Sequence, residues 1–183
     1  MKRFLFLLLP LALVACVSRK PAMNPDPNHT HADFAVYIDG AKIDFSDPTY
    51  MSNETKHRHK YFHLHDEIGT LVHRHKPNLT LGEFFDSLGV KMAPPCMVLD
   101  SGKSVCDEGD KRWTMVVNAK DVPFDPQYVF QDTDKILLTY GVLVPQIMQM
   151  TDDACLYSRT CPERGKAPTE NCIADPTVPC TAL

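Results

Sequence analysis

All eight histidines of this chain fall between positions 29 and 75. They stand in His-X-His pairs: His29 with His31, His57 with His59, His63 with His65, and His73 with His75. Residues two apart on an extended strand point to the same face, so each pair on a strand presents two imidazoles side by side. Neutral imidazole nitrogen is a ligand of borderline softness, suited to zinc, copper and nickel. One such pair would read as solvated histidines on a polar strand, sensing pH near the ordinary imidazole pKa of about 6.5. Pairs at this density point instead to a site for a transition metal, Zn or Cu.

The elements that must position these rings can be read from the same stretch. Tyr61 to His75 has the pattern of a hairpin turning through Asp66-Glu67-Ile68-Gly69-Thr70. Closed symmetrically, it sets His63 opposite His73 and puts His63, His65, His73 and His75 on one face. Phe62, Leu64 and Val72 then share the other face, which suits a core. These four histidines are the main expected ligands. His29 and His31 come next, entering a first strand beside Asp33. Asp33 or Asp66 would complete the site or hydrogen-bond a ring and fix its orientation. His57 and His59, among Lys56, Arg58 and Lys60, read as loop residues.

The flanking segments predict a small α+β domain. Ala32 to Asp39 alternates, with Phe34, Val36 and Ile38 on one face, and Asp39-Gly40 supplies the turn into Ala41–Phe45. Thr80 and Glu83 form a capping box, Phe84, Phe85 and Leu88 the buried face of the main helix, and Gly89 its stop. Cys96 to Cys106 reads as a third hairpin turning near Asp100-Ser101-Gly102, with the two cysteines placed for a disulfide. Trp113 to Val117 and Lys135 to Tyr140 read as strands, with Tyr128-Val129-Phe130 a short one between them. The expected architecture is a mixed sheet of hairpins with one main helix over 29–144, similar to the β-grasp arrangement. Residues 145–183 read as a disulfide-stapled tail, with a helix over Gln146–Asp153. Met148 and Met150 read as packing residues before Cu(I) ligands.

The opening of the chain carries an address. Lys2 and Arg3 precede an apolar run from Phe4 to Val14, a pattern of secretory signals and too short for a membrane span. Leu13-Val14-Ala15-Cys16 resembles the bacterial lipobox, which implies removal of 1–15 and acylation (palmitate among the acyl groups) of Cys16. Val17 in place of Asp resembles sorting to the outer membrane, at its periplasmic face or the cell surface. Pro21, Pro25 and Pro27 make 16–28 an extended tether. The charge balance, already −4 with Lys2 and Arg3 counted, argues against nucleic acid as a partner. Of seven cysteines, those other than Cys16 are Cys96, Cys106, Cys155, Cys161, Cys172 and Cys180. In an oxidising compartment these pair as disulfides, the last four among themselves.

Several segments together resemble a family of small exported proteins from uncultivated bacteria and archaea. They are His-Ala-Asp-Phe-Ala-Val-Tyr-Ile-Asp-Gly (31–40), Phe-His-Leu-His-Asp (62–66), Val-His-Arg-His (72–75), Thr-Leu-Gly-Glu-Phe-Phe (80–85) and Leu-Leu-Thr-Tyr-Gly (137–141). The family is largely uncharacterised, and some members go under the name protein-disulfide isomerase. The resemblance brings no catalytic residues, and this chain lacks the Cys-X-X-Cys that thiol exchange uses. His63-Leu64-His65-Asp66 also resembles a fragment of metallohydrolase motifs. It departs from the metallo-β-lactamase pattern, His-X-His-X-Asp-His, because Asp66 follows His65 directly. The sequence thus predicts a lipid-anchored protein for metal capture or delivery. Its rivals are an interaction module without metal and a metal-dependent hydrolase.

Overall fold

A computed structural model describes residues 28–52, 58–142, 150–158, 160–161 and 163. The elements in chain order are β1 (Thr30–Ile38), β2 (Ala41–Lys42), β3 (Phe62–His63), β4 (Leu71–Arg74), α1 (Leu81–Ser87) and β5 (Lys91–Ala93). They continue with β6 (Cys96–Val98), β7 (Ser104–Cys106), β8 (Trp113–Val117), β9 (Lys120–Val122), β10 (Asp134–Tyr140) and α2 (Asp153–Tyr157). The result is an α+β fold dominated by sheet, with two short helices among the described residues.

The main sheet runs β3-β4-β1-β10-β8-β9, with β2 paired to β1. Its centre is the parallel pair β1 and β10, and the other pairings are antiparallel. Asp39 and Gly40 take positive φ angles of 49° and 82° in the β1–β2 turn, a conformation that Asp and Gly accept at low cost. The second strand of that hairpin stops at Lys42, short of the expected Phe45.

Alternation along the strands gives the sheet two different faces. Phe34, Val36, Phe62, Val72, Met115, Ile136 and Leu138 share one, buried with Phe84 and Phe85 of α1. Burying a side chain of this size contributes about 1.5–3 kcal/mol, so this face is the main core. Helix α1 starts where expected: Glu83 N donates to Thr80 Oγ1 at 3.2 Å, and Thr80 N donates back to Glu83 at 2.7 Å. Strands β5, β6 and β7 form a separate small sheet, in which Cys96 faces Cys106 and the two are disulfide-bonded. Trp113 Nε1 donates to Val105 O at 2.8 Å and Tyr140 Oη to Cys106 O at 2.8 Å, fixing this sheet to the main one.

The structure differs from the sequence expectation in two further elements. Tyr128–Phe130 is loop, not strand. Its backbone serves neighbouring groups instead: Leu81 N donates to Tyr128 O at 2.8 Å, and Arg74 Nη1 to Phe130 O at 2.8 Å. The described part of the C-terminal segment is also no separate tail. Residues 150–158 lie on the second face of the main sheet, and the helix there spans Asp153–Tyr157. Of the expected helix over Gln146–Asp153, residues 146–149 lie outside the described ones.

Candidate metal centre

The second face of the main sheet carries six of the seven histidines among the described residues. Strand register explains why. His63 pairs with His73 across β3 and β4, and His31 pairs with His73 across β4 and β1. Because β4 lies between β3 and β1, His73 sits in the middle of a row of three imidazoles. A second row follows two residues along, where the His75 ring lies 4.4 Å from that of His29 and 4.6 Å from that of His63. His65, beyond the end of β3, places its ring 4.1 Å from that of His73.

Most of this cluster is out of water. His31, His63, His73 and His75 are buried, while His29 and His65 are half-buried. Two groups have the spacing of metal ligands. The ligand atoms of His29, His31 and His73 lie within 4.8 Å of one another, and so do those of His63, His65 and His73. Nitrogens bound to one tetrahedral zinc at about 2.0–2.1 Å stand about 3.4 Å apart. The Nε2 atoms of His63 and His75 are already 3.4 Å apart. His75 thus stands next to His63, although it belongs to neither group of three.

Two carboxylates hold histidine strands in place from outside. Asp66 Oδ2 lies 2.7 Å from His65 Nδ1, the contact that fixes a ring and leaves its other nitrogen to a metal. Asp66 and Glu67 both take left-handed φ angles, 55° and 59°, which turn the chain sharply after His65. Gly69 closes the same loop against the Phe45–Ser46 backbone, where any Cβ would collide. Asp132 accepts from the backbone N of His31 at 3.0 Å and takes the Ser158 hydroxyl on its other oxygen.

Asp33 plays a different part from the one expected. It is absent from both metal groups. Its carboxylate accepts from Ala154 N at 3.2 Å and Thr151 Oγ1 at 3.3 Å, so it anchors the start of α2. Burial pushes its pKa up from 3.8 to about 7. Helix α2 in turn brings Tyr157 over the histidines, its ring 5.0 Å from that of His73, 5.7 Å from His31 and 5.8 Å from His65. Tyr157 and Ser158 carried no signal in the sequence, since the tail read as separate from the domain, and Asp132 carried none because its partner is the backbone N of His31. Met150 packs beside Ala35, Val116 and Leu137.

His59 lies apart from the cluster. Its Nδ1 accepts the backbone N–H groups of Tyr61 and Phe62 at 3.1 and 3.2 Å, and burial lowers its pKa from 6.5. It is a neutral cap on the start of β3. His57, Met148, Cys16, Cys172 and Cys180 lie outside the described residues. Cys155 and Cys161 are disulfide-bonded. Among the described residues, no helix is long and apolar enough to cross a membrane.

Set against protein-family models, curated proteins and solved structures, the chain matches none of them. The functional reading therefore rests on the geometry of the histidine face.

Proposed function

We propose that this chain is an extracytoplasmic lipoprotein that takes up Zn or Cu ions on its histidine face, for metal capture or delivery. One observation carries the reading. Five imidazoles on three adjacent strands or immediately beside their ends form two groups of three whose ligand atoms lie within 4.8 Å. Surface histidines that merely solubilise a strand have no reason to converge on a buried position such as His73, which is 1% exposed. All-nitrogen coordination suits Zn²⁺ and Cu²⁺, and Met150 is engaged in packing, as its sequence context led us to expect. The lipobox at Leu13-Val14-Ala15-Cys16 and the Pro-containing tether support anchorage at a bacterial membrane, in a compartment where disulfides persist. In such a setting the protein meets metal before the cytoplasm does. The resemblance to a β-grasp is supported by the order β4-β1-β10-β8, the central parallel pair and the helix after the first strands.

Elemental analysis of the full chain, purified from membranes without a histidine tag, tests both halves. The reading expects Zn or Cu at one equivalent or more, and loss of membrane partitioning in Cys16→Ser. Metal-free protein that also fails to take up either ion would leave an interaction module as the better account. Equal detergent partitioning of wild type and Cys16→Ser would remove the anchor.

A further inference from the structure

His73 is the one residue common to both groups of three. The strand order gives this a chemical meaning. Its β3 neighbour His63 lies on one side and its β1 neighbour His31 on the other, each in direct register with it. The ring contacts follow suit. His63 stacks on His73 at 5.0 Å with an interplanar angle of 11°, whereas His31 meets it edge-on at 4.7 Å and 88°. The two groups thus flank a single imidazole from opposite strands. Imidazole has two ring nitrogens, and each can bind a metal ion.

We infer that the histidine face is a two-ion centre in which the ring of His73 bridges the ions. One ion is held by His63, His65 and His73, the other by His29, His31 and His73. The inference rests on the metal-binding reading above and specifies its stoichiometry and connection. In a neutral imidazole one nitrogen carries a proton, so loading the second ion releases that proton to solvent as the bridge forms. His75, beside both His29 and His63, is placed to serve either ion as a further ligand. Tyr157 stands over the bridge rather than over either end, since of its three imidazole contacts the nearest is His73.

Calorimetric titration of the full tag-free chain with Zn²⁺, and separately with Cu²⁺, tests the inference. Wild type should take two equivalents. His29→Ala and His65→Ala, each at a half-buried edge of the cluster, should each take one. His73→Ala should lose tight binding at both positions. Should that buried variant misfold, the two edge variants still decide the matter. With Cu²⁺ loaded to two equivalents, the electron paramagnetic resonance spectrum should show exchange coupling, lost in either edge variant. A single equivalent in wild type would overturn the two-ion centre while leaving metal binding intact. Two equivalents without coupling would overturn the bridge, and no uptake at all would remove the metal-binding reading together with it.

Discussion

At the scale of single residues, two aspartates do opposite work. Asp66 is an exposed carboxylate whose value lies in direction: it holds His65 Nδ1, in a ring that lies 4.1 Å from that of His73. Replacing such an orienting partner typically costs 10–100-fold in metal affinity. Asp66→Asn keeps a residue that tolerates a left-handed φ but removes the charge, and should weaken the His65 position by about tenfold. Zn²⁺ competition against a chelator measures this, and unchanged affinity would show that the contact does not orient the ring. Asp33 is buried, and its effect is on stability. Its folded pKa of about 7 stands above the value of 3.8 outside the fold. The folded protein therefore holds this proton more tightly than the unfolded chain, and stability falls as pH rises from about 4 towards 7. Asp33→Asn keeps an acceptor for the Ala154 amide without that liability. Its stability relative to wild type should increase between pH 5 and pH 8 in metal-free urea unfolding. Asp33→Ala, which strands the Ala154 amide, should cost about 1–3 kcal/mol. A wild-type to Asn difference that is the same at both pH values would contradict the assignment.

Among the elements, α2 makes the histidine cluster a covered site rather than an open strand face. Five side-chain contacts tie residues 151–158 across the sheet: Thr151 and Ala154 to Asp33, Asp152 to Lys135, Asp153 to Thr70, and Ser158 to Asp132. The Cys155–Cys161 bridge closes a short loop over a sequence separation of 6. A bridge of that length stabilises by about 2 kcal/mol through the unfolded chain. The Cys155→Ala, Cys161→Ala double variant should therefore loosen α2, raise amide exchange at Ala154, and speed both uptake and loss of metal. Exchange at Ala154 that matches wild type would show that the hydrogen bonds alone hold α2 down.

The β3–β4 hairpin was legible in the sequence, down to the His63–His73 pairing, because its loop length and parity leave one register with Phe62 and Leu64 inward. The capping box at Thr80 was legible because it is a local arrangement. The capping role of His59 and the tethering role of Asp132 were not, since each depends on backbone amides whose positions no residue pattern encodes. The docking of α2 on the sheet was missed for a related reason. The segment from 145 onward is polar and rich in cysteine, and its attachment to the sheet runs through carboxylates and hydroxyls rather than through an apolar stripe that periodicity would reveal.

Taken as a whole, the molecule separates its tasks by face. The α1 face supplies the core through Phe34, Phe84 and Phe85, leaving the opposite face of the same strands for imidazoles. That division predicts that histidines can be removed without unfolding the domain, since they contribute little to the main core. It also makes binding compete with protonation, because a metal needs the deprotonated ring nitrogen, so affinity should fall with falling pH. The measurement that addresses the central claim most directly is calorimetry of the tag-free chain with Zn²⁺ and Cu²⁺ near neutral pH, comparing wild type with the His63→Ala, His73→Ala double variant. The account predicts wild-type dissociation constants below tens of micromolar, with most of that affinity lost in a variant that still unfolds cooperatively. Wild-type binding weaker than tens of micromolar for both ions, or a folded double variant that binds like wild type, would contradict it.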